Sequence, residues 1–267
     1  MASDGEELAG GMVNAGAVFR LGSLVDRPAP PNARALHAHL RALRAHGFDG
    51  APTPVRVSAD GLREQLGFVP GEVALPPFPA PAMAGAALRS VGALLRRLHD
   101  AAAHVPVEAG VDWPSDLADP MGGTLLCHND LCPENVVLRG GRAVAFIDFD
   151  LAAPGRPVWD LAMAARYWVP MLDPESAAAL YPPGLDPAAR LRALADGYGL
   201  ARASRVELPL VIEQTTAACR ASVSRRVAAG NPEYVRALAE RGGWERWDRV
   251  QAWLVARRAE FTAALLH

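Results

Sequence analysis

Four prolines within ten residues divide this chain. Pro76, Pro77, Pro79 and Pro81 lie between Val73 and Ala82, a stretch that can carry no helix and little strand ladder, because each proline removes an N–H donor and fixes φ. Residues 73–82 therefore read as an extended connector between a first unit, 1–72, and a second, 83–267. In the first unit Gly and Pro punctuate short runs. Ala17–Leu21 and Leu24–Arg27 flank a Gly22-Ser23 turn, and Pro28 ends the pair. Asn32 is placed to cap a helix from Ala33 to about His46, with Leu36, Leu40 and Leu43 on one face and Gly47 as its stop. Strand-like runs follow at Thr53–Val57 and Gln65–Val69. In the second unit Leu88, Val91, Leu94, Leu95 and Leu98 form a helical stripe, and residues of about 186–200, 204–229 and 244–266 supply others. One β-rich island interrupts them: Thr124–Cys127, Val136–Leu138 and Ala143–Ile147, with Gly140-Gly141 turning the last two into a hairpin. The class is α+β, a small sheet with one helix followed by a larger, mainly helical unit.

Composition narrows the function. The 27 basic residues against 29 acidic give a net charge of −2, which offers no field for a phosphate backbone and argues against a nucleic-acid partner. All 27 are arginine; the chain has no lysine, so no mechanism that needs one operates here. No run approaches the roughly 20 apolar residues of a membrane span, and the acidic start, Met1 to Glu7, lacks the pattern of a signal peptide. Cys127, Cys132 and Cys219 form neither a C-x-x-C pair nor an even set, which predicts a reducing, cytoplasmic setting without disulfides.

The chemistry-bearing stretch is His128-Asn129-Asp130-Leu131-Cys132-Pro133-Glu134-Asn135, followed by Ile147-Asp148-Phe149-Asp150. Asp130 and Asn135 in a loop, with Asp148 emerging from a strand, can set three oxygen side chains around one cavity. Hard oxygen ligands of this kind suit Mg²⁺, which completes its shell with water and substrate phosphates, and the combination points to phosphoryl transfer. A chain with 7 His, 16 Asp and 5 Asn would show about 0.008 chance matches to H-x-D-x(4)-N, before the downstream Asp is required. A self-bonded Asx turn is the structural alternative for Asp130 and Asn135. A zinc site of His128 with Cys127 and Cys132 matches no usual ligand spacing.

This segment resembles the catalytic loop of the aminoglycoside phosphotransferase and choline kinase group, relatives of the protein kinases. Asp148-Phe149-Asp150 is similar to their Asp-Phe-Gly, with Asp in place of Gly, and Gly155-Arg156-Pro157-Val158-Trp159-Asp160 resembles the run that braces the loop. The resemblance implies a two-lobed protein-kinase-like fold with a nucleotide-binding N-lobe (1–72) and a C-lobe carrying the catalytic loop and acceptor pocket (83–267). It implies that Asp130 is the catalytic base toward a small-molecule hydroxyl, that Asn135 and Asp148 hold Mg²⁺ bridging the phosphates of ATP or GTP, that His128 is a buried strut, and that Asp160 caps a helix and braces the loop.

In the small lobe the resemblance points to Gly10–Gly16, including Gly11 and Gly16, as a loop whose N–H groups can cover phosphates, although G-x-G-x-x-G is absent and a linker is the alternative. It also points to Phe68 and Val69 as the hinge whose backbone meets the base. The group's lysine has no counterpart. Arg27 lies nearest its expected place and is expected to contact phosphate, with Arg20 on the other face of the hairpin. The helix from Ala33 to His46 contains no glutamate to partner such a cation. For the acceptor, residues 165–267 hold 14 Arg against 11 acidic residues, a surface ill-suited to a polycation. Trp159, Tyr167, Trp168 and Tyr181 either line an apolar cleft or pack the core. Two functions follow: a small-molecule kinase acting on a metabolite or antibiotic, or a catalytically weak relative that binds nucleotide or ligand as a sensor or scaffold. The oligomeric state stays open.

Overall fold

The structure is a computed structural model, and it describes residues 5–8 and 16–267. The small lobe is a five-stranded antiparallel sheet of β1 (Glu6–Glu7), β2 (Phe19–Leu21), β3 (Leu24–Pro28), β4 (Pro54–Val57) and β5 (Arg63–Gly67), in the order β1-β2-β3-β5-β4. The predicted hairpin is β2–β3, with Gly22 at φ 65° in its turn, where a side chain would be strained. Register decides which residues share a face. Val25 lies opposite Leu66, and Arg27 opposite Glu64, so these four side chains point to one side of the sheet. Arg20 lies opposite Val25, which puts it on the same face as Arg27 and corrects the expectation that it lies on the other. Helix α1 (Ala33–Ala45) buries Leu36, Leu40 and Leu43 as its spacing requires. Asn32 occupies the cap position, but its side chain makes no cap hydrogen bond among the described residues.

The connector is tied down at both ends. Glu72 and Leu138 exchange backbone hydrogen bonds of 2.9 and 2.7 Å, and Phe78 N–H donates to Leu180 O at 2.7 Å. Ala74, Phe78 and Ala82 are buried, so this proline-rich stretch packs as part of the core.

The larger lobe is built on α2 (Gly85–Ala102), α3 (Pro157–Trp168), α4 (Pro174–Ala178), α5 (Pro187–Tyr198), α6 (Arg202–Ala228), α7 (Pro232–Glu240) and α8 (Gly243–Leu266). Helices α2 and α5 meet backbone to backbone. A Cβ on Gly92 would lie 2.6 Å from Leu194 O, and one on Gly197 would lie 2.5 Å from Arg89 O, so glycine at both positions is what lets the helices approach. Trp159 and Trp168 are fully buried, with indole N–H groups donated to Leu117 O and Leu131 O. They are core residues, not cleft lining.

The β-rich island divides in two. β7 (Val136–Arg139) and β8 (Arg142–Phe146) form the expected hairpin, whereas β6 (Leu125–Cys127) pairs with β9 (Ala153–Gly155). β9, which the sequence reading did not anticipate, carries Pro154, accommodated because each strand of a two-stranded ribbon has a free edge. These two ribbons and the connector position the loop between β6 and β7 directly beneath the small lobe, where Phe146 N–H reaches Gly50 O at 2.9 Å.

Candidate active site

The loop from His128 to Asn135 is held by buried polar bonds. Asp160, fully buried in the first turn of α3, accepts from His128 N–H at 2.9 Å, from Asn129 N–H at 2.8 Å and from His99 Nε2 at 3.1 Å. Burial pushes its carboxyl up, but these bonds and the nearby histidines prevail and hold it below the usual carboxylate range. The expected helix cap is not what Asp160 does. Arg156 occupies the cap position and Pro157 starts the helix, so the carboxylate is free to serve the loop alone. His99, Cys127 and Asp160 cluster closely enough to suggest metal ligands, yet both Asp160 oxygens are already committed. Asp160→Ala would orphan two buried amides and is expected to cost about 3–5 kcal/mol of unfolding free energy. Urea denaturation measures this, and a loss under about 1 kcal/mol would contradict the bracing role.

His128 is a strut, as expected. Its ring is buried; Nδ1 accepts from Asp130 N–H at 3.3 Å, so Nε2 carries the proton and donates to Ile147 O at 3.0 Å. Burial depresses its pKa, which keeps the ring neutral in this role. Ile147 N–H in turn donates to Asn135 O at 2.9 Å, stapling the loop to the end of β8. Asn129 and Asp148 both take left-handed backbone, φ 65° and 64°, and Asn129 Nδ2 donates to Leu151 O. Short polar side chains tolerate that conformation best, and here it turns Asp148 out of the strand end toward the loop.

The three predicted oxygen side chains converge. Asn135 Nδ2 donates to Asp130 O at 2.9 Å and to Asp130 Oδ2 at 3.1 Å, which leaves its amide oxygen free of donors among the described residues. Burial first, then the charges of Asp148 and Glu134, push the Asp130 carboxyl up to about 7, against the pull of Arg166 and the Asn135 bond. Asp130, Glu134, Asp148 and Asp150 thus concentrate negative charge around hard oxygen donors. That donor set fits a Mg²⁺ ion held between the Asn135 oxygen and Asp148.

Arg27 reaches into this cluster from β3. It is 6% exposed, and its donors divide among three carboxylates: Nε to Glu64 Oε1 at 2.7 Å, Nη1 to Asp148 Oδ1 at 2.8 Å and Nη2 to Asp150 Oδ1 at 2.5 Å. It is not a solvated edge charge. Burial opposes its charge, but Asp150, Asp148 and Glu64 together raise its pKa. Helix α1 contributes through His37, whose Nε2 lies 2.7 Å from Glu64 Oε2. The cation's acid partner therefore comes from β5 instead of from the helix, and the helix supplies a histidine to hold that acid. Glu64 and His37 were missed in the sequence because their link to Arg27 exists only through the β3–β5 register.

The remaining expectations fall unevenly. Phe68 N–H is spent on Ser23 O at 2.9 Å, so of the two hinge residues only Val69 keeps a backbone N–H without an acceptor among the described residues. The Phe68 ring lies 4.1 Å beneath the Arg20 guanidinium. Gly16 is an exposed turn at φ 74° next to β2; Gly11 and the glycine loop from 10 to 15 lie outside the described residues.

Two lobes, with a braced His-x-Asp loop and a strand-end Asp between them, define a protein-kinase-like phosphotransferase fold. The family model described as "Phosphotransferase enzyme family" matches residues 110–181, the stretch that carries the loop and its brace. The trifolitoxin immunity protein of Rhizobium leguminosarum bv. trifolii is 34% identical over 195 residues, 70% of this chain and 72% of that protein. The chain belongs to this phosphotransferase family. Among solved structures, a choline/ethanolamine kinase family protein from Mesorhizobium loti superposes with a TM-score of 0.66 at 19% identity, over 99% of this chain and 94% of that one. The GDP complex of aminoglycoside 2'-phosphotransferase-IIIa gives 0.57 at 15% identity, over 93% and 92%. At these identities the likeness is one of fold.

Proposed function

We propose that the protein transfers the γ-phosphoryl group of ATP or GTP, with Mg²⁺, to a hydroxyl of a small metabolite or antibiotic. The observation that carries this reading is the convergence of Asp130, Asn135 and Asp148 on one site between the lobes, facing Arg27. In the reaction the acceptor oxygen bonds to the γ-phosphorus, the bond from that phosphorus to the β–γ bridging oxygen breaks, the hydroxyl proton passes to Asp130, and nucleoside diphosphate leaves. Mg²⁺ bound by Asn135 and Asp148 supplies charge compensation for the phosphates. Arg27 brings the phosphates a fixed positive charge, its Nε held by Glu64, which His37 holds in turn, and its Nη1 and Nη2 lying on Asp148 and Asp150 at the metal side of the site. Val69 N–H serves the base, and Gly11 and Gly16 belong to a loop over the phosphates. A structural neighbour solved with GDP supports a nucleotide in the cleft.

The rival reading, a weak or inactive binder, drew its support from the missing lysine–glutamate pair. Arg27 with Glu64 and His37 supplies a rebuilt pair, which favours catalysis. All three cysteines are free, in keeping with the reducing, cytoplasmic setting this reading assumes; the reading takes the acceptor as a small molecule and invokes no nucleic-acid or membrane partner. No helix among the described residues is long and apolar enough to cross a membrane. Calorimetric titration with ATP and GTP, with and without Mg²⁺, followed by transfer assays over a panel of hydroxyl compounds, tests the reading. The panel includes trifolitoxin, because a 34% identical relative is named for immunity to it. Mg²⁺-dependent binding and acceptor-stimulated release of diphosphate are expected; failure to bind either nucleotide sinks the proposal.

A further inference from the structure

A cavity of about 460 Å³ lies between the start of α1 and the segment that follows α2, within the roughly 300–1,000 Å³ of small-molecule sites. No residue of the candidate active site lines it. One wall is the first turn of α1. Ala33 N–H donates to Pro30 O at 2.9 Å and Leu36 N–H to Asn32 O at 3.0 Å, but the N–H groups of Arg34 and Ala35 have no acceptor among the described residues. These are the two donors that a capping side chain satisfies, and asparagine is among the best caps. Asn32 does not serve them, because its ψ of 15° departs from the extended backbone of a cap. The residue lines the cavity and is 9% exposed, yet neither its Oδ1 nor its Nδ2 has a hydrogen-bond partner among the described residues. A buried amide and two backbone donors at the positive end of a helix are thus left for a ligand. The larger lobe supplies the other wall, and it is acidic. Glu108 and Asp112 line it, and neither has a cation within the 4.0 Å of an ion pair among the described residues. Arg34, which also lines the cavity, has no carboxylate within that distance and donates only to Ser58 O at 3.4 Å. The cavity therefore holds opposite charges apart.

We propose that this cavity binds a small zwitterion, a free amino acid or short peptide, with its carboxylate on the Arg34 and Ala35 N–H groups beside the Arg34 guanidinium and its ammonium on Glu108 and Asp112. Such a ligand supplies both of the partners that the two walls lack. A lone anion would meet the two carboxylates and a lone cation the helix end, so the charges favour a ligand that carries both. Val57 and Val111 add apolar lining for a hydrocarbon side chain. The site joins the lobes: occupancy ties the first turn of α1, the helix that carries His37, to the larger lobe.

The full chain is titrated by calorimetry with four compounds built on one side chain: L-leucine, glycyl-L-leucine, cationic L-leucinamide and anionic N-acetyl-L-leucine. At least one of the two zwitterions is expected to bind about tenfold or more tighter than both the amide and the acetyl compound, the scale of one charge-assisted hydrogen bond. The tighter of the two identifies the length of the ligand. Arg34→Gln, and Glu108→Gln combined with Asp112→Asn, should each lower that affinity about tenfold. All three side chains are exposed, so the substitutions leave the core untouched, and urea denaturation checks that the variants keep the fold. Failure of both zwitterions to bind, binding no tighter than that of the amide or the acetyl compound, or zwitterion affinity unchanged in either variant overturns the proposal. The outcome does not depend on nucleotide binding, because the cavity and the candidate active site share no residue.

Discussion

Asp148→Ala is expected to abolish phosphoryl transfer and to weaken Mg²⁺-nucleotide binding by about a hundredfold or more, because the metal compensates several kcal/mol of phosphate charge. Asp130→Asn should behave differently. It removes the carboxylate that takes the acceptor proton, so turnover is expected to fall by about two to four orders of magnitude while nucleotide affinity stays nearly unchanged. The geometry permits this separation. Asp148 stands just beyond the end of β8 facing Arg27 of the small lobe, whereas Asp130 is linked to Asn135 within the loop and lies in the field of Arg166 of the larger lobe. The carboxamide that replaces the Asp130 carboxylate can still accept the Asn135 amide hydrogen bond, which preserves the loop. Calorimetry for nucleotide and a coupled assay for turnover distinguish the two, and equal losses of nucleotide affinity in both variants would contradict the assignment.

The catalytic loop was legible because its information is local: His128, Asp130, Asn135 and Asp148 lie within 21 residues of sequence, and one turn plus one hairpin brings them together. The long helices were legible for the same reason, since an apolar stripe such as Leu88 to Leu98 depends only on helical period. Pairing across distance was not. Glu64 lay just outside the expected strand Gln65–Val69, an ordinary charge until register placed it opposite Arg27, and no strand was expected at Ala153–Gly155, where Pro154 lies. Asp160 shows a subtler limit: the spacing marked it as a brace, but whether its oxygens serve the helix or the loop depends on Arg156 having taken the cap position. Arg20 fell on the unexpected face because the sheet alternation had no fixed reference until both neighbouring strands were paired.

Those pairings change what removal of Arg27 should do. Reading the sequence alone, Arg27→Ala would weaken nucleotide binding and leave the fold intact; the structure gives the residue a second duty. With its guanidinium gone, Glu64 stays buried with only His37, and Asp148 and Asp150 face each other without a cation. Breaking a buried ion pair in this way costs about 3–5 kcal/mol, so Arg27→Ala is expected to unfold at distinctly lower urea concentration, with Arg27→Lys recovering part of the loss. Nucleotide affinity in the presence of Mg²⁺ should fall by about ten- to a hundredfold in the folded variant, because phosphate oxygens lose a charge-assisted donor pair. Arg20→Ala is the informative comparison because the two residues share a face. Its ion pair with Glu6 is exposed, and such pairs contribute at most about 1 kcal/mol, so stability should hardly move. If titration finds unchanged affinity for Arg27→Ala and a large loss for Arg20→Ala, then Arg20, stacked on Phe68, is the phosphate contact and Arg27 is a structural tie between the lobes. If neither substitution alters affinity, the rebuilt pair does not serve the nucleotide, and the non-catalytic reading regains its ground.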